Sequence, residues 1–106
     1  MTINHTYSPQ NGVKIELCGE LGHHEAIYAM ARIKEILNAH LPKALELSLR
    51  DVSFMDSSGI AVVAQAYKLC QENQGRLQVT GAQKQAMKVF KASGITKIVD
   101  FREDIA

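Results

Sequence analysis

Three consecutive residues with side-chain oxygens, Asp56, Ser57 and Ser58, stand immediately before an apolar segment with helical periodicity. Side chains of these types favour the start of a helix, because their oxygens accept hydrogen bonds from backbone N–H groups that have no partner inside the helix. The same place attracts anions, because those N–H groups and the positive end of the helix dipole meet there. A serine hydroxyl here is well placed to carry a phosphate, and simple helix capping is the alternative interpretation.

Catalysis and metal binding have little support in the sequence. Ser58 as a nucleophile needs a base within reach and a third group that orients the base. Among the four histidines, His5, His23, His24 and His40, His23 and His24 are adjacent and therefore diverge on a helix, which makes them a poor metal pair and favours solvated positions at a helix start. The chain has no Gly-x-Ser-x-Gly elbow, no Cys-x-x-Cys and no Gly-rich phosphate loop. We expect no enzymatic activity, no metal and no bound cofactor.

The composition is typical of one soluble domain. The chain has 106 residues, of which 46% are hydrophobic and 22% charged, enough for one core. A net charge of +1 gives no support for nucleic-acid binding. No apolar stretch is long enough to span a bilayer, and the N-terminus lacks the pattern of a secretion signal. We therefore expect a cytoplasmic protein with no membrane or nucleic-acid partner. Cys18 and Cys70 could pair in a disulfide, but the composition favours reduced, buried thiols.

The first half of the chain predicts a hairpin followed by a helix. Ile3 to Tyr7 and the alternating segment Val13 to Leu17 are separated by the turn residues Ser8 to Gly12, and Asn-Gly is a strong hairpin signal. The segment Gly19-Glu20-Leu21-Gly22 closes the second strand. A helix is predicted from His24 to Ala39, with an apolar stripe made of Ala26, Ala29, Met30, Ile33, Ile36 and Leu37.

The second half predicts strands that alternate with helices. After Pro42 has ended the first helix, a strand runs from Ala44 to Leu49, and Phe54 to Ile60 form the turn to the next helix. This helix is predicted from Ser57 to Glu72, with Ile60, Val63, Ala64 and Tyr67 inward, and Gly75 takes the left-handed position after its end. The next strand is predicted from Arg76 to Thr80, with Leu77 and Val79 inward. A helix is predicted from Gln83 to Ala92, with Ala86, Met87 and Phe90 inward, and it ends at Ser93-Gly94. The chain then forms a last strand or edge segment from Ile95 to Phe101 and a polar tail from Arg102 to Ala106.

This order, β-β-α-β-α-β-α and a short β, predicts an α/β fold. Strands that are separated by helices of this length are parallel, and the hairpin adds an antiparallel strand. The strands alternate between apolar and polar residues, whereas a sheet covered on both faces has strands that are apolar throughout. We therefore expect a mixed, mostly parallel sheet of four to five strands in a single domain, residues 1–106, with the helices mainly on one face.

The segment Asp51 to Ile60, with its Asp-Ser-Ser-Gly, resembles the signature of the STAS family, the anti-sigma factor antagonists. Gly19-Glu20-Leu21 is similar to the family's Gly-Glu-Leu-Asp turn before the first helix, and Phe90 to Ile95 is similar to its apolar-x-x-Ser-Gly-apolar segment. The resemblance covers nearly the whole chain. It implies that Ser58 is phosphorylated by a partner kinase.

The resemblance also implies a mechanism. The unphosphorylated surface, with Asp56, Ser57, Ser58 and Gly59, docks on an anti-sigma factor that is a serine kinase of the histidine-kinase-like ATPase type, and a sigma factor is released. The partner brings ATP and magnesium, and a separate phosphatase resets Ser58. Asp56 holds the turn and orients the Ser58 hydroxyl, while Ser57 is a cap or a back-up hydroxyl. Gly59 either admits the partner backbone or keeps the helix start uncrowded.

One departure from the family pattern lies in the Gly-Glu-Leu turn, where Gly22 stands in place of the aspartate and is followed by His23. The resemblance implies that Glu20, Gly22 and His23 belong to the partner-binding surface. The alternative to a phosphorylation switch is a non-switching STAS adaptor subunit of a membrane-transport ATPase or of a larger signalling assembly, in which Ser58 is only a cap. We expect a monomer or weak dimer.

Overall fold

The computed structural model describes residues 1–103. The predicted order of elements is confirmed, and most bounds shift by one or two residues. The elements are β1 Thr2–Ser8, β2 Gly12–Leu21, α1 His23–His40, β3 Ala44–Met55, α2 Ser58–Glu72, β4 Arg76–Thr80, α3 Lys84–Ser93, a 3-10 helix Ile95–Lys97 and β5 Asp100–Arg102. The predicted polar tail begins inside β5, and its last residues, 104–106, lie outside the described residues.

Within residues 1–103 the strands form one five-stranded sheet in the order β1-β2-β3-β4-β5. β1 is antiparallel to β2, and β2, β3, β4 and β5 are parallel to one another. The hairpin turn ends at Gly12, whose φ of 87° is in the left-handed region that glycine enters without steric cost. The mixed, mostly parallel sheet predicted from the sequence is therefore confirmed.

The core lies between the sheet and the helices. The apolar residues of the predicted alternation in β2, β3 and β4 are buried, whereas their neighbours Lys14, Glu16, Glu46 and Gln78 stay partly exposed. One face of the sheet is thus apolar and covered, and the other is polar and partly wet, as the alternation predicted. The covered core contains Val13, Ile15, Leu17, Leu21, Ala26, Ala29, Ile33, Ile36, Leu37, Leu45, Leu47, Leu49, Val52, Met55, Val62, Val63, Ala66, Leu77, Val79, Ala86 and Phe90. Met30 and Met87, predicted inward, are only partly buried.

β3 is longer than predicted, because it continues through the segment that we expected to begin the turn. Its pairing with β2 shifts by one residue after Ser48 and again after Val52, so that β3 contributes an extra residue at each place. Such bulges reset which face a side chain occupies. Leu49, Val52 and Met55, spaced by three, are all buried as a result. The bulges also explain the error, because they break the alternation that marks a strand.

The inward stripe predicted for α2 is confirmed for Val63, confirmed in part for Ile60 and Tyr67, which pack against the core, and wrong for Ala64. The buried residues are Gly59, Val62, Val63, Ala66 and Cys70, whereas Ile60 and Tyr67 are partly exposed and Ala64 is exposed. The first two turns of α2 are almost entirely apolar, so periodicity alone left the inward face undetermined. The inward face of α2 consists mainly of small side chains, which let the helix pack close to the sheet.

The end of α2 also differs from the prediction. Gln74, not Gly75, has the left-handed φ, at 56°. The N–H of Gly75 donates to the carbonyl of Cys70 at 2.7 Å and that of Gln74 to the carbonyl of Gln71 at 3.1 Å, the pair of bonds that defines a Schellman ending. Gly75 is buried, and a Cβ there would lie 2.9 Å from the carbonyl oxygen of Pro42. Glycine is therefore needed at this position for space.

Both cysteines are free thiols, but only one is buried. Cys70 lies in the core, and burial raises the pKa of its thiol to about 11. Cys18 is partly exposed on the polar face of the sheet, with its Sγ 4.0 Å from Oδ2 of Asp51, so the prediction that it is buried is wrong. The partial desolvation of its Sγ raises the pKa of Cys18, and the nearby negative charges of Asp51 and Glu16 raise it further.

Candidate functional site: the Ser58 surface

The two segments that the sequence singled out meet at one edge of the sheet. β2 and β3 are parallel neighbours, so their carboxyl ends lie side by side and lead into α1 and α2. The N–H of Asp56 donates to the carbonyl of Leu21 at 3.3 Å, and Glu20 lies opposite Phe54 in the pairing. We call Glu20, Gly22, His23, Phe54, Asp56, Ser57 and Ser58 the Ser58 surface.

Asp56 is the residue that caps α2. Its Oδ1 accepts a hydrogen bond from the N–H of Ser58 at 2.8 Å. Ser57 already has helical backbone angles, φ −62° and ψ −16°, and makes no side-chain capping bond. The prediction that Asp56 holds the turn is confirmed. Ser57 occupies the N-cap position, but its side chain makes no capping bond, so of its two predicted roles the role of a side-chain cap is not observed.

The first N–H groups of α2 already have partners within the chain. Besides the bond to Ser58, the N–H of Gly59 donates to the carbonyl of Asp56 and that of Ile60 to the carbonyl of Ser57, both at 3.1 Å. An anion on the side chain of Ser58 therefore meets the positive end of the helix dipole but few free donors. Ser57 is exposed and Ser58 is partly exposed.

The carboxylate of Glu25, a residue that was not predicted to belong to the site, occupies the space beside Gly22. Oε1 of Glu25 accepts a hydrogen bond from the N–H of Gly22 at 2.9 Å. A Cβ on Gly22 would lie 2.9 Å from this oxygen and 3.6 Å from Oδ2 of Asp56. Glu25 thus supplies negative charge next to Asp56 at the turn that lacks the family's aspartate. A glutamate three residues after a helix cap is the signal that would have identified it.

Gly59 is buried, and the group that approaches it closely belongs to this chain. A Cβ at this position would lie 2.2 Å from Sδ of Met55, a fully buried residue. Of the two predicted roles of Gly59, this contact favours an uncrowded helix start over an approach by a partner backbone.

Two glutamines at the start of α3 hold the end of β3 in place. β4 pairs only with residues 44–48 of β3, so no strand among residues 1–103 covers the later part of β3 on that side. Gln85 accepts from the N–H of Met55 at 2.9 Å and donates to its carbonyl at 2.8 Å, and Gln83 donates to the carbonyl of Arg50 at 2.8 Å. These side chains replace strand pairing and fix the residues that lead into Asp56.

Apolar side chains lie beside the polar turn. Phe54 is 48% exposed. His23 is exposed at the start of α1, and Ile27, one turn further on the same helix face, is 55% exposed. Exposed apolar groups next to polar ones are common in surfaces that bind proteins. Sequence periodicity gave no signal for Phe54 and Ile27.

The remaining titratable groups form no reactive cluster around Ser58. His23 and His24 are exposed as predicted, with ring centroids 5.7 Å apart in an edge arrangement. Among residues 1–103, no group of three or more His, Cys, Asp or Glu side chains could hold a metal ion. In the same part of the chain, no helix has the length and hydropathy needed to cross a membrane.

Comparison with known proteins identifies the family. The model of the STAS domain matches residues 5–106. An anti-sigma F factor antagonist from Paenibacillus polymyxa is 31% identical over 80% of this chain and 73% of its own length. The structure of the anti-sigma factor antagonist SpoIIAA in its unphosphorylated form superposes with a TM-score of 0.80 at 25% identity, over 94% of this chain and 87% of the other.

The structure of the Bacillus cell fate determinant SpoIIAA in the phosphorylated form also superposes, with a TM-score of 0.71 at 25% identity over 94% of this chain and 90% of the other. The family model, the curated relative and both superposed structures indicate the same family. The chain belongs to the STAS domain family and, by homology, to its anti-sigma factor antagonists.

Proposed function

We propose that this chain is a phosphorylation-switched antagonist of an anti-sigma factor, and that Ser58 is the residue that is modified. The observation that carries the proposal is the position of Ser58 at the first turn of α2, with its backbone N–H held by Asp56 at 2.8 Å and its side chain partly exposed. A relative of known structure, the Bacillus determinant SpoIIAA, occurs in a phosphorylated form, which supports the same chemistry here.

In the unphosphorylated state, the Ser58 surface docks on the anti-sigma factor, which is also the serine kinase. Phe54 and Ile27, about half exposed, supply apolar area beside the polar groups, which suits the core of a protein interface. The partner supplies ATP and magnesium. Oγ of Ser58 attacks the γ-phosphorus, the bond from that phosphorus to the β-phosphate oxygen breaks to leave ADP, and the hydroxyl proton passes to a base of the partner. Sequestering this partner releases the sigma factor.

Phosphorylation ends the interaction mainly by charge. A phosphoserine adds about −1.5 to −2 charges at neutral pH, next to the carboxylate of Asp56 and near that of Glu25. Because the first N–H groups of α2 are already occupied, the new phosphate keeps most of its oxygens in water. Docking the partner would strip that water and bring like charges together, and each ~1.4 kcal/mol of this penalty lowers affinity tenfold. A serine phosphatase restores the hydroxyl.

Partner capture from a lysate of the native host tests the proposal. The baits are the wild-type chain, Ser58→Glu and the control Gln71→Glu, which adds the same charge at the exposed far end of α2. We expect wild type and Gln71→Glu to retain an ATPase of the histidine-kinase-like type, and Ser58→Glu to lose it at least about tenfold. If all three baits retain the same partner, the switch is refuted and the adaptor of a transport ATPase or signalling assembly is the better hypothesis.

Phosphate mapping then tests the site itself. The captured ATPase is incubated with ATP, magnesium and wild type, Ser58→Ala or Ser57→Ala, and the products are analysed by mass spectrometry. We expect one phosphate on wild type and on Ser57→Ala and none on Ser58→Ala. Phosphate on Ser57 in the wild-type chain would overturn the assignment of Ser58.

A further inference from the structure

The outer edge of β1 is the least protected edge of the sheet. β1 lies at one end of the strand order, so no strand among residues 1–103 pairs with its second side. All seven of its residues, Thr2–Ser8, pair with β2 without a bulge. The strand contains no proline, lysine, arginine, aspartate or glutamate. An edge of this length that lacks those features is a template for another strand, because its N–H and C=O groups are unpaired.

The opposite edge of the same sheet is protected. β5 has only three residues, and two of them are charged, with Nε of Arg102 at 3.1 Å from Oδ1 of Asp100. Short strands and charged side chains are the usual means by which proteins block edge pairing. The sheet therefore blocks one edge and leaves the other open over its whole length.

We propose that β1 pairs with β1 of a second copy of this chain, antiparallel and about a two-fold axis, to give one continuous ten-stranded sheet. Full overlap places His5 opposite His5 of the second copy and Ile3 opposite Tyr7 of the second copy. Such a pairing forms about six to eight backbone hydrogen bonds between strands of this length. In this dimer both outer edges of the sheet are formed by β5, one from each copy. Because β5 is protected against pairing, the assembly stops at two copies.

The side chains of β1 are compatible with pairing to β1 of a second copy. Ile3, His5 and Tyr7 lie opposite Leu17, Ile15 and Val13 in the hairpin and hence on the helix-covered side of the sheet. Tyr7 is 49% exposed although its ring stacks on His40 at a centroid distance of 4.6 Å. In the dimer, Ile3 of the second copy covers Tyr7, and the same contact occurs twice by symmetry. Cross-strand aromatic and aliphatic pairs stabilise antiparallel strands.

The other side of the strand is neutral. Thr2, Asn4, Thr6 and Ser8 lie on the polar face, and full overlap pairs Asn4 with Thr6 of the second copy, so no like charges meet. No residue of the Ser58 surface takes part. Dimerisation through β1 is thus compatible with a partner bound at the carboxyl ends of β2 and β3.

Sedimentation equilibrium from about 10 µM to about 1 mM tests the association. We expect wild type to pass from monomer to dimer. Asn4→Lys should remain monomeric or dimerise at least about tenfold more weakly, because the two lysines of a dimer lie diagonally about 7–8 Å apart. In the monomer this lysine lies opposite Glu16, so the fold is preserved. The control Asn38→Lys makes the same change on the exposed surface of α1 and should behave as wild type.

Cross-linking tests the register in a Cys18→Ser background. His5→Cys should form a disulfide-linked dimer on oxidation, because residue 5 lies opposite its own copy. Thr2→Cys should not, because full overlap separates the two copies of residue 2 by about 20 Å. A wild-type chain that stays monomeric at about 1 mM, or equal cross-linking at residues 2 and 5, would overturn the proposal.

Discussion

Replacing Asp56 tests whether its side chain, and not that of Ser57, begins α2. Asp56→Ala removes the acceptor 2.8 Å from the N–H of Ser58. Loss of a helix-capping acceptor costs about 1 kcal/mol, and loss of a negative charge at a helix N-terminus costs up to about 1 kcal/mol more. We expect the free energy of unfolding to fall by about 1.5 kcal/mol, which lowers Tm by roughly 6 °C for a domain of this size.

Two further variants separate the hydrogen bond from the charge. Asp56→Asn keeps an acceptor of equal capping quality and removes only the charge, so we expect a loss of about 0.5 kcal/mol. Ser57→Ala removes an exposed hydroxyl that makes no capping bond, and we expect a change within about 0.5 kcal/mol. Urea unfolding of the four proteins, with equal m-values, provides the free energies.

The ranking of the three variants by their loss in the free energy of unfolding shows whether Asp56 caps α2 through its hydrogen bond. If Ser57→Ala costs as much as Asp56→Ala, the capping residue has been misassigned. If Asp56→Asn costs as much as Asp56→Ala, the effect comes from charge, and the hydrogen bond to Ser58 contributes nothing measurable. Either outcome would refute the account of how this turn positions Ser58.

Three other changes have defined outcomes. Gly59→Ala places a Cβ 2.2 Å from Sδ of Met55, and we expect the free energy of unfolding to fall by about 1 kcal/mol, because the helix preference of alanine offsets only part of the overpacking. In a Met55→Ala background, urea unfolding should show no such loss. An unchanged loss in that background would contradict the contact between residues 55 and 59. Gln85→Ala leaves the N–H and carbonyl of Met55 without partners and should lower the free energy of unfolding by about 2 kcal/mol. Hydrogen exchange at the Met55 amide should accelerate, and unaltered exchange argues against the role of these two hydrogen bonds. Burial raises the pKa of the Cys70 thiol to about 11 in the folded protein, so folding favours the neutral thiol and the free energy of unfolding should fall by about 2 kcal/mol as the pH rises from about 9 to about 11. Urea unfolding of Cys70→Ala should lack this part of the pH dependence. Identical pH profiles for wild type and Cys70→Ala would show that the effect does not come from Cys70.

The order of the elements could be predicted from the sequence because it depends on neighbours along the chain. Asn11-Gly12 marked the hairpin, and the glycine has the left-handed φ that such a turn needs. Pro42 marked the end of α1, and alternation marked the apolar faces of β2 and β4. The alternation also predicted that one face of the sheet is covered, since a two-sided sheet needs strands that are apolar throughout.

The position of the Ser58 turn could be predicted from the sequence, but its hydrogen bonds could not. Asp56, Ser57 and Ser58 are equally good capping residues by type. Which oxygen faces the helix is determined by the β3 bulges, the hydrogen bond from the N–H of Asp56 to the carbonyl of Leu21 and the hydrogen bonds of Gln85 to Met55. The same holds for Gly22, where the effect of the absent aspartate depends on Glu25 and Asp56, which lie on different elements.

The sequence by itself determined the elements, their order, the helix-covered face of the sheet and the location of the Ser58 turn, because local propensity and periodicity encode these features. The tertiary structure alone decided the extent of β3, the inward face of α2, the exposure of Cys18 and the capping role of Asp56. These features depend on residues that are distant in sequence and adjacent in space, and their packing outweighs local preferences of less than about 1 kcal/mol per residue.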